Sequence, residues 1–365
     1  MIFEQNISLK DKNWFAIGGP ARYYCQPVTA LDFQEALLCA QKQNLALFFL
    51  GSGANILISD TGFNGLVIHP KNSPIMLIDH DQGLIQASAG TTMEELIIFA
   101  LDHNLTGLEV FSNIPGTIGG SVFINLHYFE YFLSNFLVSA TVIHKKTQEI
   151  IAVDNSWFAF GYDQSKLMSG DYYLIDALFK LVPATDLETA YARGRKFEIV
   201  RHRQARYPRA RTCGSFFRNF YEHEVSLMWE QKKMIYIAFY LDKIGVKGTA
   251  HCGDAWVSSQ HANMLVNKHK ATAQDIIQLA RILQEKVYKQ FALIAQPECI
   301  FVGFDTYPLH TSNTLNTSNT AYNNTNSLTV SNCPLENLTQ DFSKTSSSQE
   351  QITCWTKIQE KNYDK

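Results

Sequence analysis

Two short motifs each place a hydroxyl or a carboxyl where it could reach into a cleft. Ser215 lies in RTCGSFFRN at 211–219, between a glycine and two phenylalanines, and Glu298 lies in QPEC at 296–299, just before the apolar run Ile300 to Val302. A glutamate at the mouth of a strand can reach into a cleft. A turn serine satisfied by its own loop and an ion-paired surface glutamate are the plainer readings, and spacing alone does not choose. Around the serine, Arg211 and Arg218, with Arg201, Arg203, Arg206 and Arg209 upstream, form a cluster suited to a diphosphate, because the guanidinium fork donates two hydrogen bonds and stays charged. A solvated basic face is the alternative.

Two glycine clusters could cradle a phosphate-bearing ligand. GSGAN at 51–55 (Gly51, Ser52, Gly53, Ala54, Asn55) sits between the apolar runs Leu47 to Leu50 and Ile56 to Ile58. Its small residues let backbone N–H groups approach an anion. A tight turn would explain it equally well. The loop is not a GxGxxG fingerprint, since no helix pattern opens after it. The second cluster, IPGTIGG at 114–120, offers Ile114, Pro115, Gly116, Thr117, Gly119 and Gly120. Two such loops in one chain favour an elongated cofactor lying across both. No HxxxH, HExxH or GxSxG spacing occurs, which argues against a catalytic zinc and the usual hydrolase elbow.

The elements that must position these residues follow from periodicity. Thr29 to Asn44 predicts a helix burying Phe33, Ala36, Leu37 and Ala40, with Thr29 as cap and Asp32 in its first turn. Met93 to His103 predicts a second helix and Ala273 to Phe291 a third, capped by Thr272, while a polar, Arg-rich helix opens near Glu188. Arg22 to Pro27, Leu84 to Ser88, Phe136 to His144 and Tyr173 to Leu181 read as strands. After Pro308 the chain turns to Ser, Thr and Asn, a composition expected to remain disordered.

The whole chain has 365 residues, 46% hydrophobic and 18% charged, enough for a sizeable core in two or three domains. A net charge of −3 with mixed signs points to neither nucleic acid nor an anionic membrane. Seven scattered cysteines without a CxxC pair suggest a reducing compartment. The polar N-terminus and the lack of an apolar run of about 18 residues predict a soluble, cytoplasmic protein.

Taken in order, NWFAIGGPARYY, LGSGANILISDTGFNGLVI, GLEVFSNIPGTIGGSVFIN, RTCGSFFRN, GDAWVSSQHANMLVN and QPECIFVG resemble the UDP-N-acetylenolpyruvoylglucosamine reductase family from about Asn13 to Gly303. The resemblance implies an α+β fold: a two-part FAD-binding region of the vanillyl-alcohol oxidase/PCMH type and a C-terminal α+β substrate-binding domain. The expected parts are 1–70, 71–200 and 201–305, then a tail at 306–365. It also implies FAD as cofactor, NADPH as reductant, a UDP-sugar as substrate and no obligate protein partner. Ser215 would give the proton and Glu298 would be the motif glutamate, with Tyr162 and Lys166 as support; Arg211, Arg218 and Asn219 would hold the substrate.

Two segments depart from the family pattern. Its YRxS motif reads Tyr162, Asp163, Gln164, Ser165, so an aspartate stands where an arginine would stabilise developing negative charge. Losing one such donor is worth about 3 kcal/mol. Lys166, Arg203, Arg206 or Arg211 would then have to supply the cation. NLHYFE at 125–130 replaces a small, glycine-containing segment, and His127, Tyr128 and Phe129 are expected to crowd it. Rival readings are a flavin oxidase of the same fold class and a non-catalytic FAD- or UDP-sugar-binding protein.

Overall fold

The computed structural model describes residues 1–208 and 211–311. The N-terminal sheet has four strands in the order Glu4–Ser8, Pro20–Cys25, Phe63–Ile68, Ala46–Phe49, antiparallel at the first pair and parallel at the other two. Helix α1 (Ala30–Lys42) begins at Thr29, whose hydroxyl accepts from Asp32 N–H while the Asp32 carboxylate accepts from Thr29 N–H. This reciprocal cap satisfies two otherwise orphaned donors. The buried face of α1 is Phe33, Ala36, Leu37 and Ala40, as the periodicity predicts.

A second sheet is wholly antiparallel, in the order Ile150–Asp154, Leu137–His144, Tyr172–Lys180, Leu84–Ser88, Met76–Asp79. Helix α2 (Met93–Asp102) covers it with Met93, Leu96, Ile97, Ala100 and Leu101, and the short α3 (Ile118–Phe123) grows out of the IPGTIGG loop. The two sheets are not independent. Ile143 and Ile175 of the second pack into one core with Phe33, Ala36 and Leu37 of α1, across the boundary expected at residue 70.

Helix α4 (Asp186–Arg206) runs through residue 200, where the sequence reading places a boundary. Beyond it, α5 (Ile237–Lys243) and α6 (Ala273–Phe291) pack with the three-stranded sheet His251–Cys252, Ala255–Val257, Leu265–Asn267 around Phe216, Phe217, Ile276, Leu283 and Val287. Strand Ile300–Val302 then returns to pair in parallel with Ile56–Ile58, directly after the GSGAN loop. The architecture is α+β, as expected.

Residues 306–311, assigned from composition to the tail, instead pack on α6. Leu309 is buried, Gln284 exchanges hydrogen bonds with the backbone of His310 (3.0 and 3.2 Å), and Arg281 Nε donates to Pro308 O at 2.7 Å. A buried apolar side chain and satisfied backbone groups override polar composition there. The rest of the tail, and Arg209, lie outside the described residues. Among those described, no helix is long and apolar enough to cross a membrane, and no cluster of three His, Cys, Asp or Glu side chains could hold a metal.

Candidate active site

Ser215 and Glu298 are brought together by backbone. The segment 215–217 lies between two others: Ser215 bridges Met264, and Phe217 bridges Pro297. Phe216 N–H donates to Asn263 O (2.8 Å), while the N–H of Glu298 donates to Phe216 O (2.9 Å). Buried Asn263 clamps the strip, its Oδ1 accepting from Phe217 N–H (3.0 Å) and its Nδ2 donating to Phe217 O (2.7 Å). This side chain, within the HANMLVN run, escaped the sequence reading because an asparagine there carries no chemical signal of its own. Gly214, at φ +79°, has nothing within 4 Å of a hypothetical Cβ, so its conformation and not space selects glycine beside Ser215.

Both residues line a cleft of about 980 Å³, together with Asn219 and with Gly51 to Asn55 and Ile114 to Thr117, Gly119 and Gly120. The two glycine loops touch: a Cβ on Gly51 would meet Thr117 Oγ1 at 2.5 Å. GSGAN is also tied to the glutamate, since Asn55 Nδ2 donates to Glu298 O (3.3 Å) and Ile300 N–H donates to Asn55 O (3.0 Å).

The cleft suits a flavin dinucleotide. The backbone N–H groups of Ser52, Gly53, Ala54 and Asn55 have no partner among the described residues, and the buried Oδ1 of Asn55 has none either. Unpaired buried polar groups are costly unless a ligand meets them. A run of free N–H groups is an anion cradle, and the apolar wall of Leu47, Phe49, Leu174 and Tyr173 suits a flat ring system. The residues that would hold the group are those of the two loops.

At the reacting end the charges are unusual. Burial, reinforced by Asp163, pushes the Glu298 carboxyl up to about 8. It therefore carries its proton at neutral pH. Burial, then Asp163 and Glu298, raises the Tyr162 phenol to about 12. Asp163 sits at φ +51° in a turn closed by the Gly161–Gln164 bridge, and its Oδ1 lies 3.2 Å from His127 Nδ1. Asn125 Nδ2 to Gly161 O (2.9 Å) and Ser165 Oγ to Phe123 O (2.6 Å) hold that turn against α3.

Three expected residues stand elsewhere. Arg218 spends its guanidinium on Glu224, in two bonds of 2.8 Å, and lies over the Tyr221 ring, so it is a structural pair outside the cleft lining. Arg211 turns away to donate to His269 O at 2.6 Å. Lys166 is exposed, outside the cleft lining, with its ammonium 4.2 Å from the Trp157 ring centre in a cation–π contact. Arg203 and Arg206 do line the cleft, beside Tyr207, with Arg203 Nε donating to Asn113 O (3.3 Å). Like Asn263, Tyr207 and Asn113 were not singled out from sequence.

Residues 21–153 match the FAD binding domain family model, in keeping with the loops and the free N–H groups that line the cleft. The class is that of FAD-binding oxidoreductases. Residues 206–302 match the model of the UDP-N-acetylenolpyruvoylglucosamine reductase C-terminal domain. The chain is 32% identical over 84% of its length to the reductase of that name from Synechococcus sp., covering 93% of it, and 32% identical over 83% to that from Synechocystis sp., covering 91%. The crystal structure of the reductase from Thermus caldophilus has the same fold, with a TM-score of 0.67 at 24% identity over 83% of this chain and 99% of that one. The chain belongs to the UDP-N-acetylenolpyruvoylglucosamine reductase family.

Proposed function

We propose that this protein reduces UDP-N-acetylglucosamine enolpyruvate to UDP-N-acetylmuramate, with NADPH as reductant and FAD as the relay. The observation that carries the reading is that Ser215 and Glu298 line the same cleft as both glycine loops. The two glycine loops would hold FAD, which would supply the redox chemistry of accepting a hydride (two electrons and a proton) from NADPH and delivering it to the terminal carbon of the enolpyruvyl group. The neighbouring carbon and the carboxylate then carry the electron pair, and Ser215 gives its hydroxyl proton to that carbon and is reprotonated from solvent. Glu298, neutral at pH 7, donates a hydrogen bond toward the substrate carboxylate instead of repelling it. Arg203 and Arg206 are the cleft arginines suited to the diphosphate. Asn219 supports the sugar end; Tyr162 supports the reacting end. The free thiols of Cys25, Cys39, Cys213, Cys252 and Cys299 support a reducing, cytoplasmic setting.

The test is an anaerobic flavin spectrum. The purified protein is reduced with NADPH and mixed with the enolpyruvyl sugar nucleotide. Return of the oxidised band is expected. A flavin that stays bleached until oxygen is admitted would overturn the substrate in favour of an oxidase.

A further inference from the structure

We infer that His127, held by Asp163, is the cation at the reacting end of the cleft, facing the substrate carboxylate and the negative charge that develops beside it. The inference rests on the reductase reading. Its starting point is a meeting of the two departures from the family pattern. NLHYFE and the Tyr162–Gln164 turn are distant in sequence, yet they put His127 Nδ1 3.2 Å from Asp163 Oδ1. The side chains are 24% and 27% exposed, shielded enough to strengthen the attraction and open enough to meet a ligand.

The imidazole packs against two rings, its centroid 5.6 Å from that of Phe132 and 4.5 Å from that of Tyr162. With Nδ1 committed to the carboxylate, Nε2 is the nitrogen left to donate, and it has no partner among the described residues. A neighbouring carboxylate stabilises the imidazolium and sets which nitrogen points outward.

The charge balance requires such a group. The reaction brings a carboxylate and a developing enolate-like charge to a wall that already holds Asp163. Of the other cations, Lys166 lies over Trp157, Arg211 is on His269 O and Arg218 is on Glu224. Arg203 and Arg206, beside Tyr128, Tyr207 and Asn113, are the arginines assigned to the diphosphate, and the charge that presses on Glu298 is Asp163. The titratable groups beside His127 are Tyr162 and Asp163 from their turn and Tyr128 next along the strand, and Asp163 in turn acts on Glu298.

The test uses full-length protein with bound flavin, reduced anaerobically with dithionite so that NADPH plays no part, then mixed with the enolpyruvyl sugar nucleotide. Wild-type flavin should reoxidise, and His127→Gln should do so about 100-fold more slowly at equal flavin content. Reoxidation within about threefold of wild type would overturn the inference, since a lost oxyanion donor costs far more. A wild-type flavin that the substrate leaves reduced would overturn the reductase reading and the inference with it. Because His127→Gln could fail to fold, Asp163→Asn supplies a second test in the same assay: with the carboxylate that holds the ring gone, reoxidation should slow about tenfold at equal flavin content, and a rate within about twofold of wild type would overturn the inference.

Discussion

The wall carrying Ser215 and Glu298 is held by backbone hydrogen bonds among three strips of chain and by the Asn263 clamp, whereas the wall carrying His127, Tyr162 and Asp163 is held by side chains and by left-handed residues. Asn125, Phe129 and Asp163 all have positive φ, between 49° and 52°. Such backbone suits asparagine and aspartate and is strained for phenylalanine. The first wall matches the family pattern; the second departs from it. A proton donor must sit within a fraction of an ångström of its target, which rigid backbone can guarantee. A charge acts over a longer range, so the groups that supply it can be exchanged.

The comparison can be broken most directly at Ser215. Ser215→Ala should slow substrate-driven flavin reoxidation by about 100- to 10,000-fold while bound FAD stays unchanged, measured by stopped flow. Parity with wild type would move the proton donor to the other wall. Asn263→Ala should destabilise the protein by about 2–4 kcal/mol in urea melts, because a buried asparagine leaves two backbone groups of Phe217 unsatisfied. A loss under about 0.5 kcal/mol would mean the clamp is redundant.

Glu298→Gln sharpens the contrast through pH. The folded carboxyl sits at about 8 against an ordinary value of 4.5, so below pH 4.5 it is protonated in both states and costs nothing. Between those values the unfolded chain releases the proton that the folded one keeps, and stability falls as pH rises. Removing the ionisable group should therefore raise the melting stability of the substrate-free protein most at pH 8 and above, by a few kcal/mol, and least below pH 4.5. A pH-independent difference would show that the carboxyl is not held neutral. The smallest effect is expected at Arg218→Ala, which should change KM for the sugar nucleotide by less than about threefold, since its charge is spent on Glu224.

Much of the frame was legible in sequence. Thr29 and Thr272, read as caps, each open a helix with a reciprocal cap, as Thr92 and Thr185, not singled out from sequence, also do, and the apolar faces of α1, α2 and α6 bury the side chains their periodicity selects. Local rules decide local elements. The glycine loops, Ser215 and Glu298 were visible as candidates, and the structure brings them to one cleft. Arg211, Arg218 and Lys166 stand apart from the cleft lining for one reason: a cation near a motif is free in sequence and captured in space by His269, Glu224 or Trp157. His127 could be seen only as bulk, since its partner Asp163 arrives through the turn that Asn125 and Ser165 anchor.

The pairing of Ile300–Val302 with Ile56–Ile58 also has a consequence in time. The flank of the first glycine loop emerges early from the ribosome, and its partner strand, with Glu298, emerges after nearly all the described chain. Contacts this remote in sequence form slowly, because the intervening loop must close before they repay its entropy. Cofactor capture is thus set to come late, and a chain cut short before residue 300 would carry both flavin loops yet lack the strand that finishes their cleft.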